Sequence, residues 1–381
     1  MAVFAGGKIE AFVGPTELGA SDDLEQVIVD FIGDATQTLD VAVQELDSLP
    51  IAQALLDARW RGVRIRVVLE QDYLQDESLP PVAPEPGESP ELARWRAQWQ
   101  QDPPRDLDAN REILSALLRS DIDVRADYNG AIFHQKFVIR DYQGTTLPTS
   151  ALLSGSANFT HTDGHTNLNH VVVFKDWRIC AQYRAEFEQI REGRFGRGEH
   201  GDVPRAYSLN GVPVKILFAP DHTPELEIMK QLLKGTQRVD FAIFTFSGSS
   251  GIDDAMIMLR RAGLAVRGAL DPMQAGQAWA AGRWLHDEGV ELFVPRPAPG
   301  FRKLHHKLMV IDDAVVVAGS FNYTGPANDF NDENLFVLGS PYPDLPADEG
   351  GPVDPAACAA ITAFFRDEVD RIVQGSDPFV P

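Results

Sequence analysis

The chain has 381 residues, 44% hydrophobic and 24% charged, with 31 Gly and 26 Pro. That composition excludes disorder, collagen and coiled coil and predicts about two globular domains. Lys and Arg total 34 against 56 Asp and Glu, a formal charge of −22, which argues against a non-specific nucleic-acid coat but not against a polyanion enzyme with a few cations in a groove.

Residues 1–8 show no basic lead before an apolar run, and no apolar stretch approaches the ~20 residues of a membrane helix. Neither a signal peptide nor membrane insertion is expected, and the expected location is cytoplasmic. Cys180 and Cys358 are too few for a disulfide framework and stand in no metal-ligand spacing.

In chain order, residues 8–13 predict a strand ending in a proline turn, and 23–32 a helix with apolar residues three and four apart. Strand 38–43, helix 51–60 and strand 62–69 follow. The same succession returns as strand 214–218, helix 225–233, strand 238–244, helix 252–261 and strand 263–270. Such alternation implies an α/β fold, duplicated in tandem about a pseudo-two-fold axis. The expected domains are 1–195 and 212–381, joined by a Gly- and Arg-rich linker over 194–211. The first copy is about 29 residues longer, through a Pro- and acid-rich insertion at about 71–110. In it Trp95 and Trp99 stand four apart. They suit docking of the insertion onto its own domain better than a platform for a base or a protein partner.

Late in each copy the same constellation recurs. Residues 134–141 read His-Gln-Lys-Phe-Val-Ile-Arg-Asp and 155–160 Gly-Ser-Ala-Asn-Phe-Thr; residues 305–312 read His-His-Lys-Leu-Met-Val-Ile-Asp and 319–324 Gly-Ser-Phe-Asn-Tyr-Thr. On a strand, residues i and i+2 share a face, so His134 points with Lys136 and His305 with Lys307. A histidine, a fixed cation, a hydroxyl and an amide on one surface suit a tetrahedral anion. A single His-x-Lys strand is more often a solvated edge; its repetition at equivalent points favours chemistry.

These residues resemble the phospholipase D superfamily, whose signature HxKxxxxD followed by GSxN occurs twice per active site. The resemblance covers almost the whole chain. It implies two α/β-sandwich domains sharing one metal-free phosphodiesterase site at their interface, with no cofactor. It assigns His134 and His305 as the catalytic pair, and Lys136, Lys307, Asn158 and Asn322 as phosphate ligands. Ser156, Ser320, Asp141 and Asp312 become supporting residues. One imidazole attacks phosphorus to form a phosphohistidine; the other protonates the leaving oxygen and then activates water.

The family places a polar or acidic residue behind each histidine. Asn331-Asp332-Glu333-Asn334 makes Glu333 the expected partner of His305. The matching segment holds Asn167-Leu168-Asn169, so Asn167 or Asn169 is expected behind His134. A carboxylate raises the pKa of its imidazole, which makes His305 the acid and His134 the nucleophile. His161, His165, His170 and His306 are expected at loop or rim positions.

The aromatic-Thr pairs after GSxN resemble the endonuclease and cardiolipin-hydrolase-like branch, which points to DNA or RNA as substrate. Arg302 and Lys303, with Arg296, Arg191, Arg194 and Arg197, are candidate groove cations. The alternatives are a lipid phosphodiesterase and an idle or partner-gated subunit of a nucleic-acid-processing complex, docked through the 71–110 insertion.

Overall fold

The computed structural model describes residues 1–71, 84–89, 93, 109–198, 203–342, 347–349 and 351–381. Trp95, Trp99 and most of the 71–110 insertion lie outside the described residues.

The first half supplies β1 (Ala2–Phe4), β2 (Ile9–Gly14), β3 (Thr38–Val43), β4 (Arg64–Leu69), β5 (Asp123–Ala126), β6 (Lys136–Tyr142), β7 (Thr146–Gly155) and β8 (Asn167–Phe174). Its helices are α1 (Leu24–Gly33), α2 (Leu49–Trp60), α3 (Ala109–Arg119), α4 (His161–His165) and α5 (Trp177–Arg191). The second half supplies β9 (Ala206–Leu209), β10 (Val212–Ala219), β11 (Arg238–Ile243), β12 (Ala265–Leu270), β13 (Glu291–Pro295), β14 (Lys303–Leu304), β15 (Lys307–Ile311), β16 (Val315–Gly319), β17 (Glu333–Gly339) and β18 (Ser376–Pro378). Its helices are α6 (Pro224–Leu232), α7 (Ile252–Arg261), α8 (Pro272–Ala275), α9 (Gly282–Asp287), α10 (Gly325–Asp329) and α11 (Pro355–Gln374).

The duplication is exact in strand order. The run β2-β8-β7-β6-β3-β4-β5 of one sheet is matched by β10-β17-β16-β15-β11-β12-β13 of the other. In each, the strand after the first helix pairs parallel with its successor and antiparallel with the strand carrying the His-x-Lys lysine. Buried on both faces, these strands read as near-continuous apolar runs such as Val-Val-Val-Phe over 171–174. The helices start where the sequence supplies a cap. Asp23 accepts from the Gln26 N–H, and Ser48 from the Ile51 N–H ahead of a first-turn proline.

Three apolar cores result. One lies between the first sheet and α1–α3, and another between the second sheet and α6, α7 and α9. The third joins the halves: Phe174 and Phe336 from the two sheets meet Tyr183 and Phe187 of α5 and Phe365 and Val369 of α11. Both cysteines are buried and free. Among the described residues no helix is long and apolar enough to cross a membrane.

The expected linker at 194–211 is partly wrong. Ala206–Leu209 forms β9 and pairs with β10. Asn210 and Gly211 connect them with φ of 46° and 91°, the conformation of a two-residue hairpin. The Asn-Gly pair between Leu209 and Val212 is the sequence signal that the linker reading passed over.

The halves also exchange backbone. Lys303 and Leu304 of β14 add parallel to Asn167 and Leu168 of β8. Phe133 bridges parallel to Asp332. Each segment leading into a signature histidine is therefore laid against the strand of the opposite half that carries Asn169 or Glu333.

Candidate active site

That exchange sets the site. The His134 N–H donates to the Asp332 carbonyl and the His305 N–H to the Leu168 carbonyl, both at 2.9 Å. One residue earlier, the Phe133 N–H donates to Glu70 at 2.6 Å and the Leu304 N–H to Asp271 at 3.0 Å. Glu70 and Asp271 each follow the second strand of the parallel pair in their half, β4 and β12. Both histidines thus stand on backbone fixed from two directions.

The side chains follow, and here the expected pairing is corrected. Glu333 Oε2 lies 2.6 Å from His134 Nδ1, not behind His305. Asn169 Oδ1 lies 3.0 Å from His305 Nδ1, while Asn167 hydrogen-bonds Asp163. The reason is the strand exchange: β17 runs beside the segment entering His134, and β8 beside the one entering His305. The hydroxyls complete a matched pair of triads. Ser320 donates to Glu333 Oε2 and Ser156 to Asn169 Oδ1, each at 2.7 Å. Because both acceptors take an Nδ1–H, each imidazole is left with Nε2 for chemistry.

Lys136 and Lys307 are fully buried. Lys136 Nζ donates to the His134 carbonyl at 3.0 Å and to Gln44 at 3.2 Å. Lys307 Nζ donates to the His305 carbonyl at 2.8 Å and lies 4.9 Å above the Phe244 ring. Asn158 and Asn322 each leave a buried side-chain oxygen without a partner. The unpartnered atom in each is an acceptor, so it is the Nδ2–H2 group of each amide that can donate to a phosphate oxygen.

The electrostatics are tight. Burial, then Lys136 and Lys307, hold the His134 imidazole well below its usual range. Burial and the same two lysines do so for His305, with a further contribution from His134 itself. Burial lowers Lys136 to about 8 and raises Glu333 to about 8, the latter against the pull of Lys136 and Ser320. An anion between the lysines relieves this strain, since it offsets the positive field that opposes imidazole protonation.

Asp141 and Asp312 stand at the far ends of β6 and β15. Each is at positive φ, 53° and 49°, and accepts three successive backbone N–H groups: those of Thr36, Gln37 and Thr38, and of Thr236, Gln237 and Arg238. They anchor the turn before β3 or β11 and do not reach the histidines.

Of the candidate groove cations, Arg302 and Lys303 are exposed beside the site, with Lys303 Nζ 5.5 Å above Phe244. Arg296 is instead bound to Asp377, Arg191 to Asp123 and Arg194 to Glu192. Arg197 packs over Phe330 and donates to the Asp329 carbonyl.

The extra histidines are not all at the rim. His170 and His306 are fully buried between the halves, and His161 and His165 lie on α4. Sequence reading missed Asp163, whose carboxylate accepts from the Asn158 N–H at 2.6 Å and lies 3.6 Å from His305 Nδ1. Its counterpart in the second copy is Ala327, so the repeat gave no signal. It also missed Gln44, Glu45 and Phe244, one or two residues past β3 and β11; extending the repeat by a residue pairs Gln44 with Phe244. Burial and Asp163 push Glu45 up to about 7.

A family model described as cardiolipin synthase, PLD-like domain, matches residues 28–191 and 228–345. The chain belongs to the phospholipase D-like family. It is 30% identical over 167 residues to the mitochondrial cardiolipin hydrolase of Xenopus laevis, covering 44% of this chain and 60% of that protein. It is 25% identical over 162 residues to that of Chlamydomonas reinhardtii, covering 42% and 55%. The chain therefore spans little more than half the length of these relatives. In fold it is similar to the phosphatidylserine synthase of Haemophilus influenzae, with TM-score 0.65, 12% identity, and 99% of this chain and 88% of that one covered. A polyphosphate kinase of Porphyromonas gingivalis gives 0.56 at 11% identity, over 95% and 53%. The duplicated sandwich is the phospholipase D-like fold.

Proposed function

We propose that this chain is a phosphodiesterase acting through a phosphohistidine, and that its substrate is nucleic acid. The observation that carries the chemistry is the pair of imidazoles whose Nδ1 atoms are held from opposite halves, with Nε2 free beside two buried lysines.

His134 Nε2 attacks phosphorus. Glu333, bonded to Nδ1–H, stabilises the positive charge that develops on the ring during attack and so supports His134 as nucleophile, although the expectation that Glu333 keeps His305 protonated no longer holds. The bond from phosphorus to the leaving oxygen breaks, and His305 Nε2–H delivers its proton to that oxygen. The substrate's negative charge and Asp163 favour the protonated His305 this requires. His305 then takes a proton from water, the water oxygen bonds to phosphorus, and the N–P electron pair returns to His134. Lys136 and Lys307, with Asn158 and Asn322, hold the non-bridging oxygens where charge builds.

Two cationic ammonium groups supply the charge neutralisation that a divalent ion provides in other phosphodiesterases, so turnover is expected to persist in EDTA. The nucleic-acid reading is supported by the rim: Arg302 and Lys303 are exposed, and Lys303 stands over Phe244, whose ring lies 4.9 Å from that of His305. A cation beside an aromatic face suits a phosphate flanked by a base. The names of the relatives favour a second reading, a lipid phosphodiester. Labelled single- and double-stranded DNA, RNA, and cardiolipin or phosphatidylcholine vesicles, each with EDTA, separate the two. Cleavage of the vesicles alone overturns the nucleic-acid reading, and turnover that needs added magnesium or manganese overturns the metal-free mechanism.

A further inference from the structure

We propose a zinc site outside the catalytic centre, formed by His161 and His165 of α4 and Glu25 of α1. The two histidines stand four apart, so their rings leave one face of α4, with centroids 4.6 Å apart. Asp163, two residues from each, leaves the other face toward Asn158 and His305. One ligand atom from each histidine and a Glu25 carboxylate oxygen lie within 4.8 Å of one another. Ligands around a tetrahedral zinc at ~2.1 Å stand roughly 3.4 Å apart, and His161, the exposed member, closes that difference by a side-chain adjustment.

The groups behind these ligands are ordered as a metal site requires. Ser48 Oγ donates to Glu25 Oε1 at 2.6 Å, which turns Oε2 to face His165 Nε2 at 3.0 Å. On the other edge of the ring, His165 Nδ1 lies 2.6 Å from Glu17. With Nδ1–H donated to Glu17, Nε2 faces the Glu25 carboxylate, a contact that either a second ring proton or a metal cation between them makes favourable. A carboxylate bonded to the distal nitrogen is the usual support of a metal-bound histidine. A second proton on His165 would satisfy Glu17 and Glu25 but gives His161 no part, whereas a dication uses all three. Two imidazoles and one carboxylate suit zinc, not the all-oxygen preference of calcium or magnesium. The open fourth position faces solvent and takes water.

The ion has structural work to do. α4 has five residues, too few to persist alone, yet it carries Asp163 into the catalytic network. Zinc ties it to α1 directly, and through Glu17 to the turn at Thr16–Leu18.

The test is calorimetric titration of the EDTA-stripped, dialysed full chain with zinc chloride, alongside Tm. One zinc per chain is expected, with Tm rising as zinc is added. His161→Ala, at an exposed position whose backbone N–H to Asp47 is retained, keeps the apo Tm and weakens zinc binding by about 100-fold or more. Glu17→Gln, outside the coordination sphere, weakens it about 10–100-fold. Absence of saturable binding overturns the proposal. So does one-to-one binding unchanged in both His161→Ala and His165→Ala, or binding lost only in His134→Ala, which puts the ion in the catalytic centre.

Discussion

Glu333→Gln is the most informative single change. Glu333 is fully buried and its Oε2 lies 2.6 Å from His134 Nδ1. Glutamine keeps an acceptor there and removes the charge. A charge-assisted hydrogen bond exceeds a neutral one by about 1–2 kcal/mol, so the plateau rate of attack is expected to fall roughly 5–30-fold. The pH profile gives a second, independent readout. Attack needs Nδ1 protonated, Nε2 bare and Glu333 charged; a further proton either occupies Nε2 or neutralises the carboxylate that stabilises the ring, and both slow attack. Burial raises the Glu333 carboxyl to about 8, so the pair retains that proton readily. With glutamine, His134 is left as an imidazole that burial and two lysines hold well below its usual range. The acidic limb of kcat/KM therefore moves to lower pH while the plateau drops. The assay is steady-state hydrolysis of an aryl and an alkyl phosphodiester from pH 5 to 9. A nucleophile lesion slows both. If the deficit disappears with the aryl leaving group, Glu333 serves leaving-group protonation, and the roles of His134 and His305 are reversed.

Three further outcomes are expected. Arg302→Ala with Lys303→Ala raises KM for DNA or RNA and flattens its dependence on salt, with kcat on a small aryl diester unchanged; an unchanged salt slope removes these residues from the groove. Asp141→Ala strips the acceptor from three backbone N–H groups and lowers unfolding free energy by about 1–3 kcal/mol in urea titrations without moving the pH profile; a shifted profile places Asp141 in the chemistry. Gly155→Ala puts a Cβ 2.2 Å from the His170 carbonyl oxygen, and this overpacking between β7 and β8 costs about 1–3 kcal/mol; a variant as stable as the parent refutes that clash.

The fold was legible because both copies write the same grammar. Apolar runs, helix periods and turns recur in one order, and each predicted strand and helix of the repeat finds its place within a residue or two. The half-sites were legible because each is local: a strand fixes His134 with Lys136, and a turn presents Ser156 and Asn158. What was not legible is what the halves do to each other. Pairing Glu333 with His305 assumed that a half-site is completed by its own copy, and nothing in sequence spacing reports that β14 crosses to β8. Asp163 escaped for a related reason, since it acts on the opposite half's histidine from a helix whose counterpart holds alanine. The HxxxH spacing of His161 and His165 was visible, but Glu25 and Glu17 come from segments more than 130 residues away.

The interface between the halves shows why a duplicated chain need not remain symmetric. At one point Asn334 donates to the Gln135 side-chain oxygen at 2.8 Å, and Gln135 reaches Glu186 of α5 at 3.4 Å. At the pseudo-equivalent point both amides are imidazoles. His170 Nδ1 and His306 Nδ1 lie 3.1 Å apart, and His306 Nε2 lies 3.1 Å from Glu368 of α11. The donor order there is forced. Glu368, itself bound by Arg371, accepts from His306 Nε2–H, so His306 Nδ1 accepts from His170 Nδ1–H. That leaves His170 Nε2 without a proton, and it is the buried nitrogen with no partner, among Phe336 and Phe365. Burial holds both rings below the usual histidine range, in keeping with a neutral pair. Two identical halves could pair with either face exchanged; an amide pair on one side and an imidazole pair on the other distinguish the two strand exchanges. The same divergence gives His134 a carboxylate and His305 an amide. Asymmetry at the packing and asymmetry at the chemistry thus arise from neighbouring residues of the same strands, Asn169 with His170 and Glu333 with Asn334.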